Sequence, residues 1–427
     1  MVYTKNLVQK YDTDVFVAGG GPSGFAAAVA AARMGKSVFL AESQGSFGGT
    51  GCAGLVPAFA PFSDGEKIIV KGIGLEVRKS VSKNIPLEKY WTPVKAEELK
   101  RTYDDIAVKS GVVFSFFTTV CDVVTNGDRI ENVVLWAKSG LFSVKAKIYI
   151  DCTGDGDLCA FGGGKFEVGD ELHNVMPPTL CSMWSNVDYS NRGKTTDALL
   201  EKAINDGVFT YPDRHLPGMF DTDPEHGMDG GNLGHIFGCN PLDEMSLTKA
   251  MVWGRKSVLE YGRYYKEYIS GYKNANLVAT GSILGVRESR RITCDYTLNV
   301  EDFKNRASFE DEIGRYCYPV DIHIMNTDKG EYDRFKQEYF KDLKYKKGES
   351  YGIPYRSLVP VSFSNVLVAG RCMGVDRSMQ ASIRVMPSCF ITGEGAGTAA
   401  ALCCDKGDTR TVDGKVLRQK LMENGAI

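Results

Sequence analysis

The sequence lacks several features that mark whole classes of protein. It contains no apolar run of membrane-spanning length, and its first residues lack the apolar core of a secretory signal peptide. Acidic and basic residues nearly balance, with a net charge of −2 in 427 residues. Neither a nucleic acid nor an anionic membrane is therefore expected as a partner. We expect a cytoplasmic protein that acts on a small molecule, and the composition does not predict its oligomeric state.

The cysteines and histidines also lack recognisable spacing. The twelve cysteines include no Cys-x-x-Cys, and the chain is far longer than the small secreted domains that depend on disulfides. The five histidines show no H-x3–5-H pattern, so no metal is expected.

A glycine-rich turn lies between a predicted strand at 14–18 and a predicted helix at 25–34. The turn at 19–24 reads GGGPSG, a G-x-G-x-x-G pattern in the context that dinucleotide binding requires. The first glycine allows a tight turn, the second lets the backbone approach a pyrophosphate, and the third lets helix and strand pack closely. The helix N-terminus offers N–H groups to the phosphates. The predicted contacts are Gly19, Gly21, Pro22, Ser23 and Gly24.

An acidic residue follows where this kind of site needs one. Glu42 stands 18 residues after Gly24, at the end of the next predicted strand, where a carboxylate can bind the ribose hydroxyls. A structural glycine turn without a ligand would not explain that position. We also expect contacts from Ser43 and from the loop of small residues Gly48, Gly49 and Thr50.

The glycine motif alone does not separate NAD from FAD. Two later strand-to-glycine turns, at 150–155 (IDCTGD) and 366–371 (VLVAGR), favour FAD. Together with the loop at 48–50, they resemble the flavoprotein superfamily with two dinucleotide folds that contains glutathione reductase and fumarate reductase. In that superfamily the late turn meets the ribityl chain, and the helix after it points its N-terminus at the flavin. The resemblance implies FAD and further contacts by Val120, Thr153, Gly154, Asp155, Gly370, Arg371 and Ser382.

A narrower resemblance covers most of residues 12–404. The chain resembles the FAD-dependent oxidoreductase family in four segments, 283–292 (ILGVRESRRI), 351–360 (YGIPYRSLVP), 369–372 (AGRC) and 381–387 (ASIRVMP). This resemblance implies a fold and a cofactor but no substrate. Many superfamily members read Gly-Asp or Gly-Glu at the late turn. This chain reads Gly370-Arg371, which leaves the ribityl contact to the backbone or to another partner.

These elements predict an α/β fold with a discontinuous, Rossmann-like FAD-binding domain. Residues 1–164 would form its first part and residues 351–427 its C-terminal part. Residues 165–350 are richer in aromatic residues and loops, and would form an inserted α+β substrate domain that caps the site. Residues 120–124 and 130–136 alternate around an Asn-Gly-Asp turn, which predicts a hairpin.

Cys52 follows the loop at 48–50, where disulfide reductases of the superfamily place a Cys-x4-Cys pair. The next cysteine is Cys121, so no resolving thiol is near in sequence, and a second G-x-G-x-x-G for NAD(P)H is missing. Disulfide reductase chemistry is therefore not expected. Covalent attachment to the flavin and a small residue lining the flavin cavity are the remaining roles for Cys52, and we favour the second.

Arginine, histidine and tyrosine supply the candidate catalytic residues. Arg287 and Arg291 are four residues apart, so they would share a face in a helix and could orient an anionic group. A salt-bridged surface or a pyrophosphate contact would explain them equally well. His323, in the alternating strand predicted at 320–324, or Tyr355 would take the proton that leaves as hydride moves.

The predicted function is hydride transfer between flavin N5 and a small polar organic substrate, which is anionic if the arginines bind it. Three alternatives stay open. A flavoprotein monooxygenase would use NAD(P)H and O2, an FAD-binding protein without turnover would hold the cofactor only, and an NAD-dependent dehydrogenase would lack a yellow chromophore.

Overall fold

A parallel sheet buried on both faces forms the centre of the computed structural model, which describes Thr4 and residues 6–427. The strands are β1 (Val8–Ala18), β2 (Val38–Ala41), β3 (Ala58–Phe59), β4 (Thr92–Pro93), β5 (Val113–Ser115), β6 (Thr119–Asn126), β7 (Arg129–Ala137), β8 (Gly140–Asp151), β9 (Phe166–Val168), β10 (Ser182–Ser185), β11 (Gly218–Asp223), β12 (Met228–Asn232), β13 (Asn276–Thr280), β14 (Arg290–Ile292), β15 (Glu312–Tyr316), β16 (Tyr351–Pro354) and β17 (Val366–Val368). The helices are α1 (Pro22–Arg33), α2 (Gly72–Val81), α3 (Ala96–Lys109), α4 (Asp157–Phe161), α5 (Asp197–Asn205), α6 (Glu244–Tyr268), α7 (Val300–Lys304), α8 (Lys329–Asp342), α9 (Arg377–Ile383), α10 (Met386–Cys403) and α11 (Gly414–Glu423).

The main sheet has the order β5-β2-β1-β8-β7-β6, with β17 also paired to β8. Strands β5, β2, β1, β8 and β17 run parallel, while β6, β7 and β8 are antiparallel neighbours. The long β8 serves both arrangements, because its first half pairs with β7 and its last residues pair with β17. The α/β fold with a Rossmann-like sheet and the 120–136 hairpin are therefore confirmed.

Helices α1 and α10 pack together on this sheet at very short range. A Cβ atom on Gly393 would lie 2.0 Å from the carbonyl oxygen of Ser23, and one on Gly397 would lie 2.1 Å from that of Ala27. Only glycine fits such a contact between two backbones. The alanine and glycine content of both helices thus follows from how closely they cross.

A second, antiparallel sheet of order β11-β12-β10-β13 lies in the middle of the chain. Helix α6 packs on it, since Gly262 lies against Trp184 of β10, and α5 packs on α6. Trp184, Leu200, Val258 and Tyr265 belong to a separate hydrophobic cluster there. The main cluster also takes in residues between Ile292 and Val320, so part of the middle segment packs with the FAD-side core. The boundaries at 164/165 and 350/351 stay a prediction.

Two local expectations are wrong. Residues 287–291 are not helical, and the first of them precede the short strand β14. Residues 320–324 are not a strand. Arg384 donates to the Asp321 carbonyl, and the His323 ring contacts His235 and the Asp321 carboxylate. In the part of the chain that the structure describes, no helix has the length and apolar character needed to cross a bilayer.

Glu394, on α10, gives the fold a pH dependence that can be tested. Its carboxylate accepts a hydrogen bond from the Ile73 N–H at 3.0 Å, and burial raises its pKa from 4.5 to about 7. As pH rises, Glu394 ionises at a lower pH in the unfolded chain than in the folded protein. The stability that its neutral form gives the folded protein below pH 4.5 is therefore lost as the pH rises to about 7. The full loss is about 3 kcal/mol.

In Glu394→Gln this part of the pH dependence should disappear, because the amide cannot ionise. Urea unfolding of the FAD-loaded protein at both ends of the window measures it, with the exposed Glu171→Gln as control. If the free energy of unfolding fell by the same amount between the two pH values in wild type and in Glu394→Gln, Glu394 would not be the group responsible.

Candidate functional site

Three loops emerge side by side at the carboxyl edge of the main sheet. Ala18 pairs in register with Asp151, and Val368 pairs with the same residue from the other side. The turns that follow β1, β8 and β17 are therefore neighbours. Ligands of open α/β sheets bind at this edge.

The three glycines of the G-x-G-x-x-G turn differ in what surrounds them. Gly19 has φ 88°, and a Cβ there would lie 2.6 Å from the carbonyl oxygen of Cys152. A Cβ on Gly24 would lie 1.8 Å from the carbonyl oxygen of Gly19. Gly21, by contrast, has no protein atom within 4 Å of a Cβ position. It precedes Pro22 at the start of α1, where no side chain caps the helix, so this backbone is open to a ligand.

Glu42 is buried and held beside the first turn. Its carboxylate accepts hydrogen bonds from the Gly20 N–H at 2.6 Å and the Gln44 N–H at 2.7 Å, with the Ser43 hydroxyl at 3.2 Å. The Thr118 N–H donates to the Glu42 carbonyl, which brings the start of β6 and Val120 to the same edge.

The loop at 48–50 covers the first turn. The Gly48 N–H donates to the Gly20 carbonyl at 2.8 Å, and a Cβ on Gly49 would lie 3.3 Å from the Gly21 Cα. Thr50 is the last residue of this run and lines a large cavity. The loop therefore connects the dinucleotide turn to the cavity.

Cys52 lies behind this loop. Its Sγ is 4.0 Å from the carbonyl oxygen of Ala96, and burial raises the pKa of the thiol to about 12. The side chain packs between Gly48 and α3, and Cys52 does not line the large cavity next to Thr50. The structure therefore does not support the expectation that Cys52 lines the flavin cavity.

The two later turns are joined by an ion pair. Arg371 contacts the Asp155 carboxylate at 2.9 Å and donates to the Ser289 hydroxyl at 2.9 Å. Gly370 has φ 81°, and its Cβ position lies 2.6 Å from the Ser23 hydroxyl of the first turn. Arg371 therefore braces Gly154 and Asp155 where many superfamily members carry an acid. Thr153 donates to Asp151 at 2.8 Å and fixes the start of its turn.

The residues present fit a dinucleotide. The turn at Gly21 and the uncapped start of α1 could hold a pyrophosphate, and Glu42 could hold a ribose. The uncapped start of α10 at Met386 could face the flavin. Ser382 is different, because its hydroxyl donates to the Tyr318 carbonyl and shares a hydrogen bond with Tyr351, away from these turns.

A cavity of about 790 Å³ lies between this cradle and the antiparallel sheet. Thr50, Pro57 and Met386 line it on the cradle side. Aromatic side chains line it further out, namely Tyr90, Trp91, Phe220, Tyr332 and Phe335. The polar part of its wall includes His215, His235, Arg287, Asp321, His323 and Arg384, and Lys336 and Lys344 also line the cavity.

Two histidines in this wall contact each other and two carboxylates. His235 Nε2 lies 2.7 Å from His323 Nδ1, and His235 Nδ1 lies 3.0 Å from Asp213 Oδ2. His323 Nε2 lies 3.2 Å from Asp321 Oδ2. The His215 ring lies 4.6 Å from the His323 ring. The three histidines meet although 20 and 88 residues separate His235 from His215 and His323.

Burial dominates the electrostatics of this wall. It lowers the pKa of His215 to about 4, with His235 as the second cause, and lowers that of His323 well below 6.5, with Arg287 as the second cause. Burial and Arg384 lower the pKa of Arg287 to about 10, so this guanidinium is still charged at neutral pH.

Of the four predicted catalytic residues, the structure brings Arg287 and His323 to the cavity. Arg291 instead binds Glu288, Glu167 and the Gly169 carbonyl, all within the protein. The Tyr355 hydroxyl is buried and donates to the Thr409 carbonyl at 2.8 Å. Tyr355 fails as a cavity residue because it begins the turn after β16, whose side chains pack into the core.

Sequence reasoning missed Asp213, Asp321 and the role of His235. Asp213 has no local motif, and its only signal is that it stands two residues before a histidine. Asp321 stands two residues before His323 in the same way. Both pairings depend on segments that meet only in the folded chain.

The profile of the family described as FAD dependent oxidoreductase matches residues 14–421. The chain belongs to this family. It is a flavin-dependent enzyme, and FAD is its cofactor.

The chain is similar to thiamine thiazole synthase of Desulfosudis oleivorans, with 28% identity over 55% of this chain and 87% of that protein. The match to thiamine thiazole synthase of Pyrococcus furiosus is 31% identical and covers 36% of this chain and 62% of that one. Among solved structures, a geranylgeranyl bacteriochlorophyll reductase-like protein of Thermoplasma acidophilum covers 97% of this chain and 84% of its own, with 12% identity and a TM-score of 0.51. This last likeness shows the fold alone.

Gly21→Ala tests the cradle. The added methyl meets no protein atom, and φ −62° with ψ −179° suits any residue, so the apoprotein should keep its stability within about 0.5 kcal/mol. Affinity for FAD should fall by at least about tenfold, or 1.4 kcal/mol, because the methyl occupies the space left for the cofactor.

Titration of the apoprotein with FAD, followed by flavin fluorescence, measures the loss. Gly24→Ala is the contrasting variant, and should destabilise the apoprotein itself because its methyl strikes the Gly19 carbonyl. Normal FAD affinity in Gly21→Ala would place the cofactor elsewhere.

Proposed function

We propose that the enzyme moves a hydride between flavin N5 and the carbon of a small anionic organic substrate held by Arg287 and Arg384. The observation that carries this proposal is the pair of arginines in the wall of the cavity that begins at Thr50 and Met386. A second group in the same wall, His323 with Asp321, is able to exchange a proton.

The arginines suit an anion because their charge is shielded from water. The Arg384 side chain is 8% exposed, and its Nη2 donates to the Asp321 carbonyl at 3.0 Å. Among the described residues, Arg287 makes a single protein hydrogen bond, from Nη1 to the Pro177 carbonyl at 2.6 Å. A guanidinium has five N–H donors, so Arg287 keeps several for a carboxylate or similar group.

A two-electron oxidation balances within this site. FAD supplies a two-electron acceptor when bound. For an alcohol substrate, the C–H bond breaks with its electron pair and the O–H bond breaks as its proton goes to His323 Nε2 or Asp321, while the C=O bond forms. Arg287 and Arg384 hold the anionic group, which fixes the position of the reacting carbon. The reverse sequence reduces a carbonyl compound.

The apolar outer part of the cavity sets a second requirement. Tyr90, Trp91 and Phe220 would exclude water from the reacting groups, which strengthens the interactions of the arginines with an anion. The relatives named thiamine thiazole synthase match between 36% and 55% of this chain, and the proposal depends on the cavity and not on their name.

Anaerobic bleaching of the flavin tests the function. The holoenzyme is mixed with glycolate, lactate, malate or glycerate, and with lactamide as the neutral counterpart of lactate. We expect at least one anion to bleach the flavin and the amide to fail. Flavin reduction by NADPH, followed by hydroxylation with O2, would instead establish a monooxygenase. A flavin that responds only to dithionite would establish an FAD-binding protein without turnover.

Arg287→Gln should raise the half-saturating concentration of the bleaching anion by about 10- to 100-fold, because a hydrogen bond between charged groups is lost. Stopped-flow bleaching at varied substrate concentration measures this value. Arg356→Gln is the matched control, because that arginine forms an exposed ion pair with Asp311 at 3.0 Å. Equal half-saturation in wild type and Arg287→Gln would remove Arg287 from substrate binding.

A further inference from the structure

Four side chains form a continuous row of hydrogen-bonding contacts from the large cavity into the protein wall. The order is Asp321, His323, His235, Asp213, with contacts of 3.2, 2.7 and 3.0 Å. Asp321 and His323 line the large cavity, and Asp213 lines a second, neighbouring one of about 20 Å³. The second cavity has room for about one water molecule. His235 borders both cavities.

The number of protons in this row is limited by charge. Arg287 and Arg384 contribute two positive charges next to the row, and Asp213 and Asp321 contribute two negative ones, so these four groups sum to zero. Two further cations of the cavity walls are already paired, Lys336 with Asp197 at 2.9 Å and Arg214 with Glu201 at 3.2 Å. A cationic histidine would leave a net positive charge in a buried region, which is costly. Tyr318 and Tyr261, whose hydroxyls donate to Asp321 and Asp213, are neutral. The charge balance therefore favours the state in which both imidazoles are neutral and hold one proton each.

Two protons cannot fill three contacts, so one contact has none. The 2.7 Å contact between the two rings must hold a proton, because two nitrogen lone pairs would otherwise face each other. The contact of His235 with Asp213 is 3.0 Å, and that of His323 with Asp321 is the longest at 3.2 Å. The Asp321 oxygen in this contact also accepts from Tyr318 at 2.9 Å and Arg384 at 3.5 Å, whereas the Asp213 oxygen that faces His235 has, besides it, only Tyr261 at 3.4 Å among the described residues, and the His215 N–H donates to the other Asp213 oxygen. The contact without a proton is thus at His323 Nε2, on the side of the large cavity.

We propose that this row is a proton relay, in which the substrate's proton reaches His323 Nε2 through Asp321, the carboxylate that this nitrogen faces, and Asp213 passes one on to the small cavity. The relay rests on the proposed function for the source of its proton. As His323 Nε2 gains a proton, the proton on Nδ1 moves to His235 Nε2, and the proton on His235 Nδ1 moves to Asp213. Asp213 then releases it to water. Reduction of a bound carbonyl compound runs the same steps in reverse.

A metal ion is the other occupant that three histidines could hold. Nitrogen atoms of His215, His235 and His323 lie within 4.8 Å of one another. Two nitrogens bound to one tetrahedral zinc ion, each at about 2.0–2.1 Å, would lie about 3.3 Å apart. The 2.7 Å between His235 and His323 is the distance of a shared proton. Metal occupancy is therefore an outcome for the experiment.

The first experiment needs no substrate. In the FAD-loaded enzyme labelled with ¹⁵N-histidine, NMR should show both rings neutral, with the proton on Nδ1 of His323 and on Nδ1 of His235. His235→Gln and His226→Gln assign the signals, since His226 is exposed. A proton on His323 Nε2, or two cationic rings, would overturn the relay. So would one equivalent of transition metal in the purified enzyme that is lost in His235→Gln.

The second experiment uses the hydroxy acid that bleaches the flavin fastest. His235→Gln should slow bleaching by about 100-fold, added imidazole should restore part of the rate, and His226→Gln should match wild type. Unchanged bleaching in His235→Gln overturns the relay but leaves the proposed function standing. A slow variant that imidazole cannot rescue, but whose FAD spectrum is normal, assigns His235 a structural role and also overturns the relay. Absence of bleaching by every acid in wild type overturns the proposed function, and the NMR result then decides the relay alone.

Discussion

The close contact between α1 and α10 is the constraint on which the rest of this structure depends. Gly393 and Gly397 bring the backbone of α10 against the carbonyl oxygens of Ser23 and Ala27, closer than any side chain would permit. The start of α1 lies at the dinucleotide turn, and the start of α10 lies at the large cavity. Because the two helices cannot slide past each other, the cofactor cradle and the cavity keep one relative position. The proposed reaction needs this, since hydride transfer depends on the distance and orientation between the substrate carbon and flavin N5.

Much of the cradle could be predicted from the sequence because its residues are adjacent along the chain. The strand, the glycine turn and the helix between residues 14 and 34 are a local pattern, and their packing requirements are met by glycine alone. The late turn at Gly370 was recognisable for the same reason. Its function in bracing Asp155 was not, since the ion pair from Arg371 joins residues more than two hundred positions apart.

The polar wall of the large cavity could be predicted from the sequence only in part. Residue type alone points to His323 and Arg287. The local structure that the sequence predicts around them, a strand at 320–324 and a helix at 287–291, is absent. Tyr355 has a hydroxyl of suitable chemistry, but that hydroxyl is buried and donates to the Thr409 carbonyl. Asp213, His235 and Asp321 reach one another only through the docking of the antiparallel sheet and of the segment after β15. No periodicity or spacing encodes such a meeting.

Under the proposed function, the same wall must satisfy two opposed demands, and its composition shows how it could do so. An anionic substrate requires positive charge in the cavity, whereas a proton acceptor requires that histidine stay neutral near that charge. Asp321 and Asp213 reconcile the two by balancing Arg384 and Arg287 while the imidazoles remain uncharged. When the substrate's anion binds, the balance shifts towards negative, which makes the gain of a proton by His323 easier. Binding of the substrate would thus itself prepare the group that removes its proton.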